Sequence, residues 1–97
     1  MPQIIISENA LEGIERCRSF LFNKNPLAQM RASKAIQHHI SALKTEPNIG
    51  RPFETEYKLR ELIIPFGDSG YILLYRFDDL TDQVVILAFR HQKEVGY

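Results

Sequence analysis

The sequence predicts one α+β domain in the order β-α-α-β-β-β, an antiparallel meander sheet with a helical hairpin packed on one face. Three observations predict it: a β-branched run near the start, two stretches with apolar residues at helical spacing, and three apolar β-favouring segments within the last forty residues. A chain of 97 residues with 44% hydrophobic residues is large enough to bury one core. No repeat or linker divides it, so residues 1–97 are expected to form a single domain.

A change in periodicity separates the first strand from the first helix. Ile4-Ile5-Ile6 is β-branched throughout and too short for a helix, which predicts a strand. Ser7 or Asn9 can cap the helix that follows, and Asn9 with Glu12 resembles a capping box. The helix is predicted to reach about Phe22. Its apolar residues at helical spacing are Ala10, Leu11, Ile14, Cys17, Phe20, Leu21 and Phe22.

A second helix is predicted over Leu27 to Lys44. Asn25 is a suitable cap, and Pro26 at the first helical position loses no hydrogen bond there. The link between the two helices is short, so they are expected to form an antiparallel hairpin. The apolar stripe of the second helix consists of Ala28, Ala32, Ala35, Ile36, Ile40 and Leu43.

The second half of the sequence predicts a loop and then three strands. Thr45 to Glu56 contains two prolines, a glycine and an asparagine, which are typical of irregular structure. The predicted strands are Lys58–Pro65, Gly70–Phe77 and Gln83–Arg90. Because their connections are short, neighbouring strands must run antiparallel.

The lengths of the two hairpins predict where the strand arginines lie. The first hairpin places Arg60 opposite Tyr75 or Arg76, and the second places Gly70 opposite Arg90. Arg60 and Arg90 would then be about five residues apart, or roughly 17 Å along the strands. The sheet is therefore expected to carry two separate cationic spots. Arg60 and Arg76 mark one of them, and Arg90, His91 and Lys93 mark the other, beside the turn at residues 67–70.

Each cationic residue has both a functional and a structural interpretation. Arg60 could bind a phosphate or a partner carboxylate in bidentate fashion, or it could point outward and pair with Glu61, Asp78 or Asp79. Arg76 is interpreted as stacked or ion-paired at the sheet edge. His91 beside Arg90 is the stronger candidate for chemistry, although a histidine at a strand end is more often hydrogen-bonded and inert. No nucleophile motif surrounds the serines, so no catalytic triad with His91 is predicted.

Composition argues against several classes of function. Twelve cationic residues balance twelve acidic ones, so the chain lacks the overall basic charge of a dedicated nucleic-acid binder. The lone Cys17 excludes an internal disulfide and fits a reducing compartment. Neither a signal peptide nor a membrane span is evident, which predicts a cytoplasmic location. His38 and His39 point about 100° apart on a helix, so no metal site and no cofactor are expected.

Two stretches of the second half carry a family resemblance. Residues 62–76 read Leu-Ile-Ile-Pro-Phe-Gly-Asp-Ser-Gly-Tyr-Ile-Leu-Leu-Tyr-Arg, and residues 85–94 read Val-Ile-Leu-Ala-Phe-Arg-His-Gln-Lys-Glu. Together with the predicted layout they resemble the RelE/ParE superfamily of toxins from type II toxin–antitoxin modules, also known as plasmid stabilisation proteins. The Ser-Gly-Tyr hairpin and the Arg-His-Gln-Lys-Glu end are nearest to its ParE-like branch.

The resemblance implies a choice between two mechanisms. RelE-like members are ribosome-dependent endoribonucleases that use an Arg after the Ser-Gly-Tyr turn, lysines on the preceding strand, and an Arg and a Tyr near the end. Here the position after the turn is Ile72, and residues 62–64 include no lysine. Arg90, His91 and Tyr97 occupy roughly the remaining places. Several charge-stabilising donors are thus absent, and losing even one typically costs about 10²–10³ in rate.

The ParE-like branch therefore gives the preferred expectation, a non-enzymatic toxin that inhibits DNA gyrase and blocks replication. The alternatives are a RelE-like endoribonuclease and a non-toxic interaction module of the same fold. The resemblance also implies a cognate, ParD-like antitoxin whose disordered segment folds around the toxin. Direct binding of nucleic acid is not expected outside that complex. The residues expected to bind antitoxin or target are Arg60, Tyr71, Arg76, Arg90, His91, Lys93 and Tyr97.

Overall fold

The computed structural model describes residues 1–53 and 58–97 and confirms the predicted α+β architecture. A helical hairpin covers one face of a five-stranded sheet. In chain order the elements are β1 (Gln3–Ile6), α1 (Glu8–Lys24), α2 (Pro26–Ala42), β2 (Arg51–Pro52), β3 (Leu59–Phe66), β4 (Ser69–Asp78) and β5 (Gln83–His91).

Both helices begin at side-chain caps. The Ser7 hydroxyl accepts a hydrogen bond from the backbone N–H three residues on, at 3.1 Å, so Ser7 rather than Asn9 caps α1. The Asn9 amide instead donates to the carbonyl of Leu87 on β5 at 3.0 Å. Asn25 caps α2 and Pro26 follows it, as predicted. α1 ends two residues later than predicted and α2 two residues earlier.

The strand order is β1-β5-β4-β3-β2. β3, β4 and β5 form the predicted antiparallel meander. β1 joins it by pairing in parallel with β5, which the long connection through both helices allows. Within the predicted loop Thr45–Glu56, Arg51 and Pro52 pair with β3 as an additional short strand. Residues 54–56 of that loop lie outside the described residues.

The predicted register is right for the first hairpin and wrong for the second. Arg60 pairs with Tyr75, as expected. Arg90 pairs with Ile72 and not with Gly70, because the turn after β4 and a β-bulge between β4 and β5 each offset the register by one residue. Arg60 and Arg90 are therefore three positions apart along β4, about 10 Å instead of 17 Å.

The core lies between the helices and one face of the sheet. Its largest fully buried side chains are Tyr75, Leu43, Ile64, Leu73, Ile86 and Val84. Cys17 is buried there, as predicted, but Phe20 and Phe22 of the predicted apolar stripe are 63% and 55% exposed. Successive helical residues point about 100° apart, so a run such as Phe20 to Phe22 cannot face the sheet as a whole.

The opposite face of the sheet carries no described helix, and we call it the helix-free face. Side chains alternate between faces along a strand. Leu62 and Leu73 are paired core residues, so Glu61 and Ile63 of β3 and Ile72 of β4 point to the helix-free face. This alternation decides on which of the two faces of the sheet each predicted site residue lies.

Candidate functional site

The predicted residues at the end of β5 lie on opposite faces of the sheet. Arg90 is paired with Ile72 and points to the helix-free face, whereas His91 is paired with Tyr71 and points to the helix side. Tyr97 lies on the helix-free face, where its ring is 5.0 Å from the Arg90 guanidinium carbon. The structure thus brings Arg90 and Tyr97 together and places His91 apart from them.

Arg60 holds the loop that precedes β2. Its side chain points to the helix side, where its guanidinium donates to the carbonyl of Gly50 at 2.7 Å. The hydroxyl of Tyr75 accepts from the N–H of Gly50 at 2.9 Å and donates to the carbonyl of Pro47 at 2.8 Å. A side chain on Gly50 would meet the Tyr75 ring at 2.6 Å. Arg60 is therefore a structural anchor and does not pair outward with Glu61, Asp78 or Asp79.

Arg76 and Lys93 are the exposed cations of the predicted set. Arg76 points to the helix-free face from β4, which is the middle strand of the sheet and not an edge as expected. Lys93 lies at the rim of a pocket on the helix side. The two cations are thus on different faces.

On the helix-free face a closing segment, residues 92–97, is fixed by Arg90. One guanidinium nitrogen of Arg90 donates to the carbonyls of His91, Gln92 and Glu94 at 3.2, 3.3 and 2.8 Å. The ring of Tyr97 packs on that guanidinium in a cation–π contact. Arg90 therefore holds the closing segment against the helix-free face of the sheet.

Tyr97 also binds a buried carboxylate. Its hydroxyl donates to one oxygen of Glu61, whose other oxygen accepts from Arg51 at 3.0 and 3.2 Å. Glu61 is only 8% exposed. Burial, together with the adjacent Glu61 carboxylate, raises the pKa of Tyr97 well above its usual range. The phenol therefore keeps its proton and acts as a hydrogen-bond donor. Phe53 packs edge-on against its ring at 6.1 Å.

The helix side holds a pocket of about 550 Å³ between α1 and the β3–β4 turn. Its floor includes Tyr71, which stacks between Phe66 and Phe89 at centroid distances of 6.3 and 5.3 Å. Burial raises the pKa of Tyr71. Polar groups lie around this apolar floor, among them Ser69, His91, Lys93 and Glu94. We call it the helix-side pocket.

His91 is held in a tautomer unsuited to activating a nucleophile. The backbone N–H of Lys93 donates to its Nδ1 at 3.1 Å, so this nitrogen carries the lone pair and Nε2 carries the hydrogen. Nε2 lies 3.1 Å from the hydroxyl oxygen of Ser69 and therefore donates to it. A base would have to accept the serine proton, so the pair is structural.

Glu94 ties the closing segment to α1. It accepts hydrogen bonds from Arg16 at 2.9 Å, from the N–H of His91 at 3.0 Å and from the Cys17 thiol at 3.6 Å. Burial opposes ionisation, but the hydrogen bond from His91 and the charge of Arg16 outweigh it and lower the pKa of Glu94. Burial and the adjacent Glu94 raise the pKa of Cys17 to about 11, so the thiol is unreactive at neutral pH.

Sequence reasoning missed the acidic half of this arrangement. Glu61 and Glu94 each hold the closing segment, one on either face of the sheet. Glu61 follows Arg60 in the sequence and was considered only as its ion-pair partner, and Glu94 was named only as the last residue of the Arg-His-Gln-Lys-Glu motif. Among the described residues no group of three or more His, Cys, Asp or Glu side chains is placed to hold a metal ion. Within the same residues, neither helix has the length and apolar character to cross a bilayer.

Comparisons with known proteins agree with this fold. Residues 4–96 match the family model described as the ParE toxin of the type II toxin–antitoxin system parDE. Toxin RelE3 of Caulobacter vibrioides is 32% identical over 94 residues, which cover 97% of this chain and 98% of the relative. Toxin RelE1 of the same organism is 29% identical over 73 residues, or 75% of this chain and 76% of the relative.

Two solved complexes contain chains of the same fold. A chain of the intact E. coli RelBE toxin–antitoxin complex superposes with a TM-score of 0.67 at 14% identity, covering 97% of this chain and all of the other. A chain of the Mycobacterium tuberculosis RelBE2 complex gives 0.65 at 23% identity, covering 95% and 100%. The family match over nearly the whole chain and the full-length relative lead to one assignment: the chain belongs to the ParE toxin family of type II toxin–antitoxin systems, within the RelE/ParE superfamily.

Proposed function

We propose that the chain is a toxin that inhibits DNA gyrase by binding it, without catalysing a reaction, and that a cognate antitoxin neutralises it in the cytoplasm. One observation carries the non-catalytic part of the proposal: a buried carboxylate, Glu61, lies on the helix-free face, bonded to Tyr97 and to Arg51. A site for RNA cleavage must stabilise negative charge on a phosphate. A buried anion at that position opposes this chemistry.

The floor around Glu61 supports the same conclusion. Ile63 faces the same side from β3 and is 37% exposed, whereas Ile72 of β4 and Ala88 of β5 are each 6% exposed. Ile63 gives a partner apolar contact, and none of the three side chains offers a hydrogen-bond donor to a phosphate. A surface of this kind suits recognition of a protein better than recognition of a nucleic-acid backbone.

Arg90 occupies the place of the C-terminal arginine of the nuclease branch, and its guanidinium is already bonded within the chain. Three backbone carbonyls accept from its guanidinium, and Tyr97 covers it. A phosphate would have to replace these contacts before it gained any from Arg90. Because binding a phosphate would cost these contacts, we infer that Arg90 fixes the closing segment. The toxin then acts by binding its target through its surface.

The second candidate is a ribosome-dependent endoribonuclease, and two observations favour it. Both relatives compared above carry the name RelE. Arg90 and Tyr97 also lie together on one face, as the nuclease branch requires. The nuclease reading then depends on Arg90, Tyr97 and cations such as Arg76, without His91, which points to the other side of the sheet.

A direct test measures both activities with one purified protein. Added to gyrase with relaxed plasmid, the wild-type chain is expected to block supercoiling and accumulate cleaved DNA. Added to ribosomes programmed with mRNA, it is expected to leave the message intact. Cleavage at defined codon positions, with gyrase unaffected, would overturn the proposal and establish the nuclease. Inactivity in both assays, together with normal growth on expression, would leave a non-toxic interaction module.

Substitutions separate a role in chemistry from a role in structure. The double substitution Arg90→Met and Tyr97→Phe should lower the rate of RNA cleavage about 10²-fold or more if these groups stabilise a developing charge. The gyrase proposal predicts no RNA cleavage before or after the change. Arg31→Met, an exposed residue on α2, is the matched control for the loss of one surface cation.

A further inference from the structure

We propose that the helix-side pocket binds a small aromatic carboxylate, with Tyr71 and Ser69 donating hydrogen bonds to the carboxylate and Lys93 balancing its charge at the rim. The inference goes beyond the proposed function and does not depend on the toxin's target. The predicted ligand is a free small molecule whose ring lies among the apolar side chains of the pocket.

The hydroxyl of Tyr71 is a buried polar group without a partner in the described part of the chain. Tyr71 is 5% exposed, and its hydroxyl forms no hydrogen bond to another described residue. Among the described side chains only Nε of Arg90 is both fully enclosed and unpartnered, so the Tyr71 oxygen still reaches open space. That space is the helix-side pocket, which Tyr71 lines. A buried hydroxyl normally has a partner, and here a molecule within the pocket can supply it.

Ser69 supplies a second donor beside the first. Ser69 and Tyr71 are alternate residues of β4, and His91 lies opposite Tyr71 on β5, with its ring edge-on to the Tyr71 ring at 5.4 Å. Because Nε2 of His91 donates to the Ser69 oxygen, the hydroxyl hydrogen of Ser69 is left to donate elsewhere. Burial raises the pKa of Tyr71 and the neighbouring Cys17 adds to the rise, so the phenol also keeps its hydrogen. Two hydroxyl donors thus lie close together in the wall of the pocket.

The charges around the pocket favour an anionic ligand. Glu94 is already bonded to Arg16, to the Cys17 thiol and to a backbone N–H, so donors of the chain share its charge. Lys93 and Asp68 are exposed at the rim and form no ion pair within the described residues. An ammonium ligand would pair with Asp68 but leave both hydroxyl hydrogens without an acceptor. A carboxylate accepts from both hydroxyls and pairs with Lys93 as well.

The remaining lining is apolar and rich in aromatic rings. Phe20 and Leu21 line the pocket from α1, and Phe66 lines it from β3. The Phe20 side chain is 63% exposed in the free chain, so a ring in the pocket would cover apolar surface that water now meets. Aromatic rings pack favourably against one another edge-on or offset. The volume of about 550 Å³ accommodates a two-ring aromatic acid and lies within the usual range for ligand sites.

Matched compounds test the ligand class with the purified wild-type chain. 2-Naphthoate is the probe, and calorimetry should give a Kd of about 1 mM or tighter, as expected for a ligand of this size. The neutral 2-naphthamide and the saturated decahydro-2-naphthoate should each bind about fivefold more weakly or worse. The cationic 2-naphthylmethylamine should bind most weakly of all.

Tyr71→Phe separates ligand binding from folding. Because the hydroxyl has no partner within the described chain, its loss should leave the midpoint of urea unfolding unchanged. The Kd for 2-naphthoate should rise about tenfold, since the hydrogen bond that is lost has a charged acceptor. Tyr97→Phe removes a hydroxyl outside the pocket and should leave the Kd unchanged.

The rim charges are tested by neutral substitutions. Lys93→Gln should raise the Kd for 2-naphthoate about threefold, with the difference shrinking at high salt, and Asp68→Asn should lower it about twofold. Lys34→Gln changes an exposed cation on α2 that does not line the pocket, and it should have no effect.

Several results would overturn the proposal. Equal affinity for 2-naphthamide would show that the pocket takes an apolar group alone, such as a side chain of a protein partner. A Kd for 2-naphthoate weaker than about 10 mM, or an unchanged Kd in a folded Tyr71→Phe variant, would exclude the assigned site. So would NMR shifts that 2-naphthoate causes only outside the helix-side pocket. The assays contain neither gyrase nor ribosomes, so failure of the proposed function leaves their outcome intact.

Discussion

Two arginines on either side of β4 form similar contacts on opposite faces of the sheet. Arg60 on β3 donates to the carbonyl of Gly50, and Arg90 on β5 donates to the carbonyl of His91 and to two carbonyls of the closing segment. Each is accompanied by a tyrosine hydroxyl that completes the network. Tyr75 is fully buried, whereas Tyr97 is 47% exposed. The same kind of contact therefore anchors the loop at Gly50 through a buried tyrosine and the closing segment through a half-exposed one. A partner can reach only the second anchor.

The largest effect is expected at the buried tyrosine. Tyr75→Phe removes a hydroxyl that accepts from the N–H of Gly50 and donates to the carbonyl of Pro47. Both backbone groups lose this hydrogen-bond partner. An unsatisfied buried polar group costs about 1–3 kcal/mol, so the free energy of unfolding in urea should fall by that amount. A loss below about 0.5 kcal/mol would show that water replaces the hydroxyl and that the loop is not firmly anchored.

The next effect concerns the half-exposed anchor. Arg90→Met should free the closing segment, because it removes the donor to three carbonyls and the cation beneath Tyr97. We expect faster hydrogen exchange at residues 94–97, with a loss of about 1 kcal/mol in unfolding free energy. Arg76→Met, an exposed cation on the same face, is the control. Equal exchange in both variants would mean that Glu94 alone holds the segment.

A smaller effect is expected from the second tyrosine. Tyr97→Phe removes one hydrogen bond to Glu61, which keeps its contact with Arg51. Since Tyr97 is 47% exposed, solvent competes for its hydroxyl and the net contribution of this hydrogen bond is small. The unfolding free energy should change by no more than about 1 kcal/mol, less than for Tyr75→Phe. A reversed order of the two substitutions would contradict the comparison between the two anchors.

The smallest effect depends on pH and involves Glu94. Its pKa is lower in the folded chain, so its contacts stabilise the fold above the ordinary value of 4.5 and are lost as pH falls through the lowered value. Glu94→Gln should therefore be less stable than wild type at pH 7, by about 1 kcal/mol at most because the pair is partly exposed.

Urea unfolding at several pH values tests this sign. The difference between wild type and Glu94→Gln should vanish in acid, below the lowered pKa. Glu12→Gln, which changes an exposed carboxylate on α1, serves as control. A difference that persists unchanged in acid would show that shape, and not charge, makes Glu94 stabilising.

Local patterns predicted the elements, because caps, turns and β-branched runs act over a few residues. Asn25 with Pro26 marked the start of α2, and Arg60 was correctly paired with Tyr75. The parallel pairing of β1 with β5 was not predicted, since residues some eighty positions apart meet only through packing. The β-bulge left no sequence signal, and it shifted the partner of Arg90.

The site was predicted as a set of residue types and not as a geometry. The sequence indicated Arg90, His91 and Tyr97 together, but alternation along β5 places His91 on the other face. Arg60 was weighed as an outward cation, yet its strand position points it towards the helix side, where Gly50 supplies a carbonyl. Glu61 acquires its importance from Tyr97, which is 36 positions away.

The second edge of the sheet limits how copies of this chain can associate. β2 consists of Arg51 and Pro52, and a proline has no N–H to offer a further strand. The Arg51 side chain is turned back to Glu61. Growth of the sheet from molecule to molecule through β2 would therefore lack a backbone donor at Pro52. Among the described strands β1 forms the opposite edge, and pairing of two β1 edges alone would end at a pair of molecules.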